Sequence, residues 1–248
     1  MNKIAVLIPA HNESKAIRNV VKSVLQYVEV VVVVDDGSSD GTAEKISDLP
    51  IKLILHETNQ GKSQAMVSGF KVLKNLDVCG VLSIDADSQH RPEDIPNFLK
   101  LVSEQPDQLI IGARIKGIEA KPKKSLIGNK IADFFVSWAG GKILTDTQSG
   151  YKFYPMDFIK QFKFQKRYKS SFLLESELLI VASRKGHDFS LVPIQAVYSD
   201  DISPSHYRPW LDTLPIIAMI AWKIIKGGLY PVSLVRAIRY FWIVKSDR

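Results

Sequence analysis

Residues 30–42 read VVVVVDDGSSDGT. Five consecutive valines are strongly strand-forming, and with no polar residue alternating among them both faces of that strand must be covered. Such a strand belongs to a parallel sheet sandwiched between helices. The flanking segments agree. KIAVLIP (3–9) reads as a strand, and KAIRNVVKSVLQYV (15–28) carries apolar residues at three- and four-residue spacing, the period of an amphipathic helix. The alternation continues with a short helix at TAEKISDL (42–49), a strand at IKLILH (51–56), a helix over 61–76, a strand at VCGVLSID (78–85), a helix over 91–105 and a strand at QLIIGAR (108–114). Through about residue 114 the chain is therefore an open, doubly wound α/β sheet.

After residue 114 the rhythm changes. KGIEAKPKKS (116–125) is a basic loop, 125–141 a helix, TDTQSGYKFYP (145–155) a turn-rich segment, 171–186 another helix and DFSLVPIQAVY (188–198) a strand. From residue 211 two amphipathic helices follow, interrupted at Gly227, Gly228 and Pro231. The expected division is a body over 1–210 and a helical tail over 211–248.

At 248 residues, with 46% hydrophobic and 24% charged side chains, the chain can bury a sizeable core, which excludes a disordered or fibrous protein. A net charge of +7 suits an anionic partner without choosing among phosphate-bearing substrate, acidic membrane and nucleic acid. The single cysteine, Cys79, excludes a disulfide framework or a Cys-based zinc site and fits a reducing, cytoplasmic setting. The first apolar run stops at Pro9, too short for a signal-peptide core, and the apolar stretch 213–222 is too short to span a bilayer unaided.

In open α/β sheets ligands sit beyond the carboxyl ends of the strands. Strand one ends in PAHNES, strand two in DDGSSDGT and strand four in DADSQH, so three polar, acidic loops converge on one crevice. PAHNES has no glycine, which argues against a dinucleotide-binding turn. HETNQGKSQ lacks the first glycine of a P-loop, since His56 stands there, although Gly61 and Lys62 at a helix start could still meet an anion. In IDADSQH, Asp85 and Asp87 are two positions apart and point to the same side of an extended backbone. A hard divalent cation such as Mg²⁺ or Mn²⁺ between them would relieve their repulsion, with Gln89 adding a neutral oxygen. A pair of helix-capping acids is the plainer alternative. Asp35 and Asp36, at the mouth of a buried strand, suit hydrogen bonds to a base edge or ribose hydroxyls.

Together these stretches resemble inverting family 2 glycosyltransferases of the GT-A fold, particularly the dolichol-phosphate mannose synthase and polyprenyl-phosphate glycosyltransferase branch. The likeness rests on IPAHNES, VVDDGSSDGT, NQGKSQAMVSGF, IDADSQHRPEDIP, GAR, DTQSGYKFYP and ESELLIVASRKGHDFSLVPI, in the family's order over about residues 4–208. It implies a mixed, mostly parallel sheet flanked by helices, with C-terminal amphipathic helices. It implies that Pro9, His11, Asn12, Glu13, Asp35 and Asp36 border the donor nucleotide, that Lys62 lies near its diphosphate, and that Asp85, Asp87 and Gln89 form the metal motif for Mg²⁺ or Mn²⁺. Arg114 matches the arginine that approaches an acceptor phosphate, with Lys124, Ser125 and Lys152 nearby. KPKKSLIGN carries Lys121, Lys123 and Lys124 ahead of Asn129 where the family has arginines, and lysine holds phosphate as a point charge rather than a fork.

The implied chemistry is one in-line displacement at the anomeric carbon, inverting it, with a nucleoside diphosphate leaving and Asp87 and Arg114 in the catalytic set. A lipid-phosphate acceptor is already anionic, whereas a hydroxyl acceptor, glycan or lipid, needs a general base. Glu177 is the first candidate and Glu175 the second. They are spaced by two on a helix, so at most one reaches the site. A non-catalytic nucleotide-binding protein is the remaining alternative. The expected partners are a nucleotide-sugar donor and a lipid-linked acceptor, with peripheral contact at the inner face of the cell membrane through the basic, Trp- and Ile-rich tail. No nucleic acid is expected, and the oligomeric state stays open.

Overall fold

The valine run forms β2 (Val30–Asp35), which lies between β1 (Ile4–Ala10) and β3 (Lys52–Leu55) in parallel register. Both its faces are covered. Val32 and Val34 pack with Met66 and Phe70 of α2 (Lys62–Leu73), while Val31 and Val33 pack with Ile17, Val20 and Val24 of α1 (Ile17–Val24). The computed structural model describes residues 3–116, 123–165, 168, 173–195 and 209–243.

On the other side of β1 lies β4 (Gly80–Ser83), also parallel, followed by α3 (Ile95–Glu104) and β5 (Leu109–Lys116). With β6 (Lys152–Pro155) and β7 (Phe189–Gln195), the seven-stranded sheet has the order β3-β2-β1-β4-β6-β5-β7. Its sixth strand corrects the sequence reading. The segment expected to be turn-rich ends in β6 (Lys152–Pro155), inserted antiparallel between β4 and β5, and a short helix α5 (Met156–Gln161) follows it. Four residues with a buried lysine at one end and a proline at the other show no strand alternation, so nothing local marked it. The short helix expected over 42–49 is likewise only a 3-10 turn at Glu44–Ile46, because Ile46 is its one buried side chain and offers no face to dock.

The remaining elements are α4 (Lys123–Gly140), α6 (Leu173–Arg184), β7 (Phe189–Gln195) parallel to β5, α7 (Pro209–Lys226), α8 (Pro231–Ile238) and a π-helical turn at Arg239–Ile243. The mixed, mostly parallel sheet flanked by helices is the architecture expected. Ile216, Ile220 and Ile224 of α7 join the core beside α6. Among the described residues no helix is long and apolar enough to cross a membrane.

The topology sets what meets at the edge. Register pairs Ala10 with Asp35 and Leu7 with Ser83, so the parallel strands β1, β2 and β4 all point their carboxyl ends at one edge, β4 stopping three residues short of the end of β1. Because β6 runs the other way, it is its beginning that lies there, with Lys152 opposite Ser83.

Candidate active site

The loops after β1 and β2 are knitted into one unit by backbone amides donating to short polar side chains. Asn12, in the left-handed region at φ 57°, donates its N–H to Ser38 Oγ at 2.8 Å, and its Oδ1 accepts from the Ser39 amide at 2.9 Å. The Glu13 amide donates to Thr42 Oγ1 at 2.8 Å and the Ser14 amide to Asp40 Oδ2 at 3.0 Å. Asp40 also accepts from the Thr42 amide and hydroxyl; burial works against its charge, but these bonds win and hold its carboxyl down at about 2. Pro9 is buried in β1, paired with Val34, and His11 Nε2 lies 3.2 Å from Asn12 Nδ2. Asp35 is buried and accepts the Ser38 amide at 2.9 Å. Gly37 is required here: it has φ 69°, and a Cβ would stand 2.5 Å from the Thr58 carbonyl carbon.

Asp36 does something the sequence did not announce. Its carboxylate accepts from the Gln60 amide at 3.0 Å, the Gly61 amide at 2.7 Å and His56 Nδ1 at 2.6 Å, while His56 Nε2 meets Ser68 Oγ at 2.9 Å. The anion at the amino end of α2 is thus supplied from within, by Asp36, in the position where unsatisfied amides and the helix dipole favour negative charge. With three donors on it and 2% of its surface exposed, Asp36 holds α2 in place rather than offering itself to a nucleotide.

Lys62, the first residue of α2, reaches Asp85 Oδ1 at 2.5 Å and Glu175 Oε2 at 3.2 Å. Glu175 in turn accepts from Lys152 Nζ through Oε1 at 3.3 Å, and Lys152, 1% exposed, also donates to the Ser149 carbonyl. Charges therefore alternate along Asp85, Lys62, Glu175 and Lys152. Burial would lower Lys62, yet the charges of Asp85 and Glu175 raise it above an ordinary lysine. Burial would raise Asp85, but Lys62, helped by the His90 ring 3.7 Å away, holds it far below the usual carboxylate range. Lys152 has too little compensation, and burial lowers it. Gly150 makes room for this arrangement: a Cβ there would stand 2.6 Å from Asp85 Oδ1 and closer still to the rest of the carboxylate.

Asp87 stands apart from the chain of ion pairs. Its Oδ1 accepts the Gln89 amide at 2.9 Å, and burial together with the charge of Asp85 raises its carboxyl above the usual range. Three carboxylates against two ammonium groups leave one negative charge at the strand edge. Among the described residues no set of three or more His, Cys, Asp and Glu side chains is arranged to hold a metal by itself. Asp85 and Asp87, with Gln89 following on the same loop, suit a hard cation that takes its other ligands from a bound phosphate, the habit of Mg²⁺ and Mn²⁺.

Beside this cluster Arg114 is clasped by Asp146, which accepts from its backbone amide at 2.7 Å and from Nε at 2.9 Å, and pairs with Nη2. Asp146 sits at φ 51°, and its own amide, with the amide and hydroxyl of Thr147, donates to the buried Asp133 of α4. Arg114 is thus oriented from α4 through two carboxylates.

The structure brings Lys62, Asp85, Asp87 and Gln89 together, with the Asn12–Glu13 and Asp35 loops on the same edge. Besides Asp36, two expectations change. Glu175, rather than Glu177, reaches the cluster; Glu177 faces the other way, accepting from Gln165 Nε2 at 3.2 Å and pairing with Lys223 of α7 at 3.0 Å. Lys152, expected toward an acceptor, is buried behind Glu175 because β6 starts inside the sheet. The side chains of Lys124 and Ser125 lie outside the described residues, as does Lys121 altogether. Sequence reasoning missed Gly150, Asp146, Asp133 and His56. The run DTQSG marked the first two as a polar turn, and nothing local tied it to Asp85.

Comparison with known proteins agrees with this geometry. Residues 5–170 match the model of glycosyl transferase family 2. The chain is 29% identical over 221 residues to the UDP-N-acetylglucosamine–dolichyl-phosphate N-acetylglucosaminyltransferase of Methanococcus voltae, covering 79% of this chain and 86% of that protein. It is 26% identical to the undecaprenyl-phosphate mannosyltransferase of Micrococcus luteus, covering 79% and 84%. The fold matches glucosyl-3-phosphoglycerate synthase from Mycobacterium tuberculosis, crystallised with Mn²⁺, UDP and glucosyl-3-phosphoglycerate, with a TM-score of 0.63 at 20% identity over 90% of this chain and 80% of that one. With its sheet, its acidic strand ends and two-thirds of its length matching one family description, the chain belongs to glycosyl transferase family 2.

Proposed function

We propose that the protein transfers a sugar from a nucleotide-sugar donor to a polyprenyl-phosphate acceptor, inverting the anomeric carbon, with Mg²⁺ or Mn²⁺ held by Asp85, Asp87 and Gln89. The observation that carries the acceptor class is the state of the two glutamates on α6. Each oxygen of Glu175 faces an ammonium group, and Glu177 is engaged by Lys223 and Gln165. Both carboxylates are already engaged by ammonium or amide groups, and a lipid phosphate, already anionic, requires no general base. The polyprenyl-phosphate enzymes among the relatives support the same choice.

In this reading the crevice beyond β1 and β2 receives the nucleotide, bordered by Pro9, His11, Asn12, Glu13 and Asp35. The divalent ion, once bound, supplies Lewis-acid stabilisation of charge growing on the diphosphate leaving group. Lys62 keeps Asp85 ionised and fixed, a preorganised electrostatic role that needs no rearrangement as charge moves. Asp36 and His56 fix Lys62 by fixing the start of α2. Arg114, oriented by Asp146, meets the acceptor phosphate with a planar fork, and Lys124 and Ser125 extend that acceptor side. The acceptor class sets the work at the inner face of the cell membrane, with the C-terminal helices in peripheral contact.

The test is initial-rate transfer from a panel of UDP-, GDP- and dTDP-sugars to a short-chain polyprenyl phosphate, with Mn²⁺, Mg²⁺ or EDTA. Metal-dependent formation of a phosphate-linked sugar is the expected result. Transfer only to the matching polyprenol or to a glycan hydroxyl would overturn the acceptor assignment, and metal-independent transfer would overturn the role of Asp85 and Asp87.

A further inference from the structure

His90 follows the loop that carries Asp85, Asp87 and Gln89, and it is 4% exposed. Its ring lies against Tyr151, with centroids 5.5 Å apart, and Tyr151 is stacked in turn on Phe98 of α3 at 4.5 Å. Tyr151 is fully buried, and its carbonyl accepts the Gly112 amide of β5 at 2.8 Å, so the His90 ring rests on a floor built into the sheet. The next residue is tied down as well, Arg91 Nη1 donating to Gln195 Oε1 at the end of β7 at 3.0 Å. Close packing below and an anchored backbone beside it leave the imidazole little freedom to turn.

The ring places one nitrogen at the charge cluster and leaves the other without a partner. Nε2 stands 3.7 Å from Asp85 Oδ2, longer than a closed hydrogen bond but within electrostatic reach. Nδ1 is buried with no hydrogen-bond partner among the described residues. Packing alone gives no reason for this. A phenyl ring would fill the same space on Tyr151 without burying an unpaired nitrogen, which is costly in apolar surroundings. What the imidazole supplies in return is a donor facing the second oxygen of Asp85.

Asp85 is thereby addressed on both oxygens. Oδ1 faces Lys62 Nζ at 2.5 Å, Oδ2 faces His90 Nε2, and Gly150 closes the carboxylate in from the turn before β6. Rotation about the Cβ–Cγ bond would carry each oxygen away from its donor, so the two donors together fix the plane of the group. The choice of side chain fits the charge count. Three carboxylates against two ammonium groups leave one negative charge for a cation. A third ammonium in this place would cancel it, whereas an imidazole directs an N–H at the oxygen without a permanent full charge.

We infer that His90 is a positioning residue for the divalent ion, acting through Asp85: it locks the carboxylate plane from the Oδ2 side, as Lys62 does from the Oδ1 side, so that Asp85 and Asp87 meet the ion without rearrangement. The inference rests on the proposed function and deepens it, extending the support of the ion beyond Asp85, Asp87 and Gln89. Removing a partner of this kind from behind a metal-binding side chain changes metal affinity by about 10–100-fold.

The experiment is titration of Mn²⁺ into the full chain with UDP and, separately, with GDP, reading the free ion by its electron paramagnetic resonance signal. The set is the parent, His90→Phe, His90→Leu and His90→Gln. Phenylalanine keeps the ring and its packing but has no N–H; glutamine packs less well and carries an amide N–H that can reach toward Asp85. Thermal midpoints and nucleotide affinity are measured without metal in parallel. Packing and positioning predict opposite orders. The expected result is Mn²⁺ capture by the parent, weakened about 10–100-fold in His90→Phe and His90→Leu and by no more than about threefold in His90→Gln. The metal-free thermal midpoint of His90→Phe should equal or exceed that of His90→Gln, and metal-free nucleotide affinity should be the same in all four. Mn²⁺ capture by His90→Phe equal to the parent, or a loss in His90→Gln as large as in His90→Phe, would overturn the inference while the metal reading of Asp85 and Asp87 stands. If His90→Phe does not fold, His90→Leu carries the same comparison. A parent that captures no Mn²⁺ with either nucleotide brings down the metal reading itself, and the positioning role with it.

Discussion

Replacing Gly150 by alanine probes the charge cluster with one carbon atom. The new Cβ would lie 2.6 Å from Asp85 Oδ1 and nearer still to Oδ2, where ordinary contact begins at 3.4 Å, so the carboxylate must withdraw by more than about 0.8 Å or the loop must yield. Either response lengthens the 2.5 Å Lys62–Asp85 pair and moves Asp85 relative to Asp87. Overpacking of this kind costs about 1–3 kcal/mol, small enough beside ~5–15 kcal/mol of folding stability to leave the protein folded. Misplacement by about 1 Å at a reacting centre costs on the order of a hundredfold in rate. We expect kcat/KM for sugar transfer to fall about a hundredfold, and half-saturation by Mn²⁺ to rise, with a modest drop in the urea midpoint. Gly128→Ala is the control, because a Cβ there meets nothing within 4 Å; it should keep full activity and gain about 0.5–1 kcal/mol from helix propensity. A Gly150→Ala enzyme with a rate within threefold of the parent and unchanged metal dependence would refute the account of the cluster.

Further outcomes follow from the same contacts. Lys62→Met leaves Asp85 and Glu175 without their shared ammonium and should cost about 3 kcal/mol by urea denaturation, with transfer abolished; stability equal to the parent would contradict the alternating chain. Glu175→Gln should lower transfer to a soluble phosphate acceptor far more than Glu177→Gln, which touches only the Lys223 and Gln165 contacts away from the cluster, and comparison of the two kcat values decides it. In Asp36→Asn an amide N–H can face the donors at Gln60 and Gly61, so donor affinity measured by calorimetry should weaken about tenfold, consistent with a lost buried bond of about 1–3 kcal/mol. Asp40 has its carboxyl depressed to about 2 in the fold. Its contribution is present above the ordinary range near 3.8 and vanishes as pH falls toward 2. Asp40→Asn should therefore narrow the gap in thermal midpoint to the parent between pH 4 and pH 2.

Local pattern carried much of this protein. The unbroken valines meant a strand covered on both faces, the three polar strand ends meant one crevice, and the spacing of Asp85 and Asp87 meant two carboxylates on one side, because each of these follows from backbone periodicity alone. Tertiary structure decided what no window of sequence contains. The antiparallel insertion of β6 places the start of that strand at the active edge, which sets Gly150 against Asp85 and buries Lys152. The packing of α6 turned Glu175 to Lys62 and gave Glu177 to the tail, although the two differ by only two positions in one helix. Asp36 and Asp35 are adjacent and chemically identical, yet Asp36 is consumed by amides 24 and 25 residues away. Periodicity specifies which side of an element a residue occupies; the partner waiting on that side comes from elsewhere in the chain, and long-range register alone selects it.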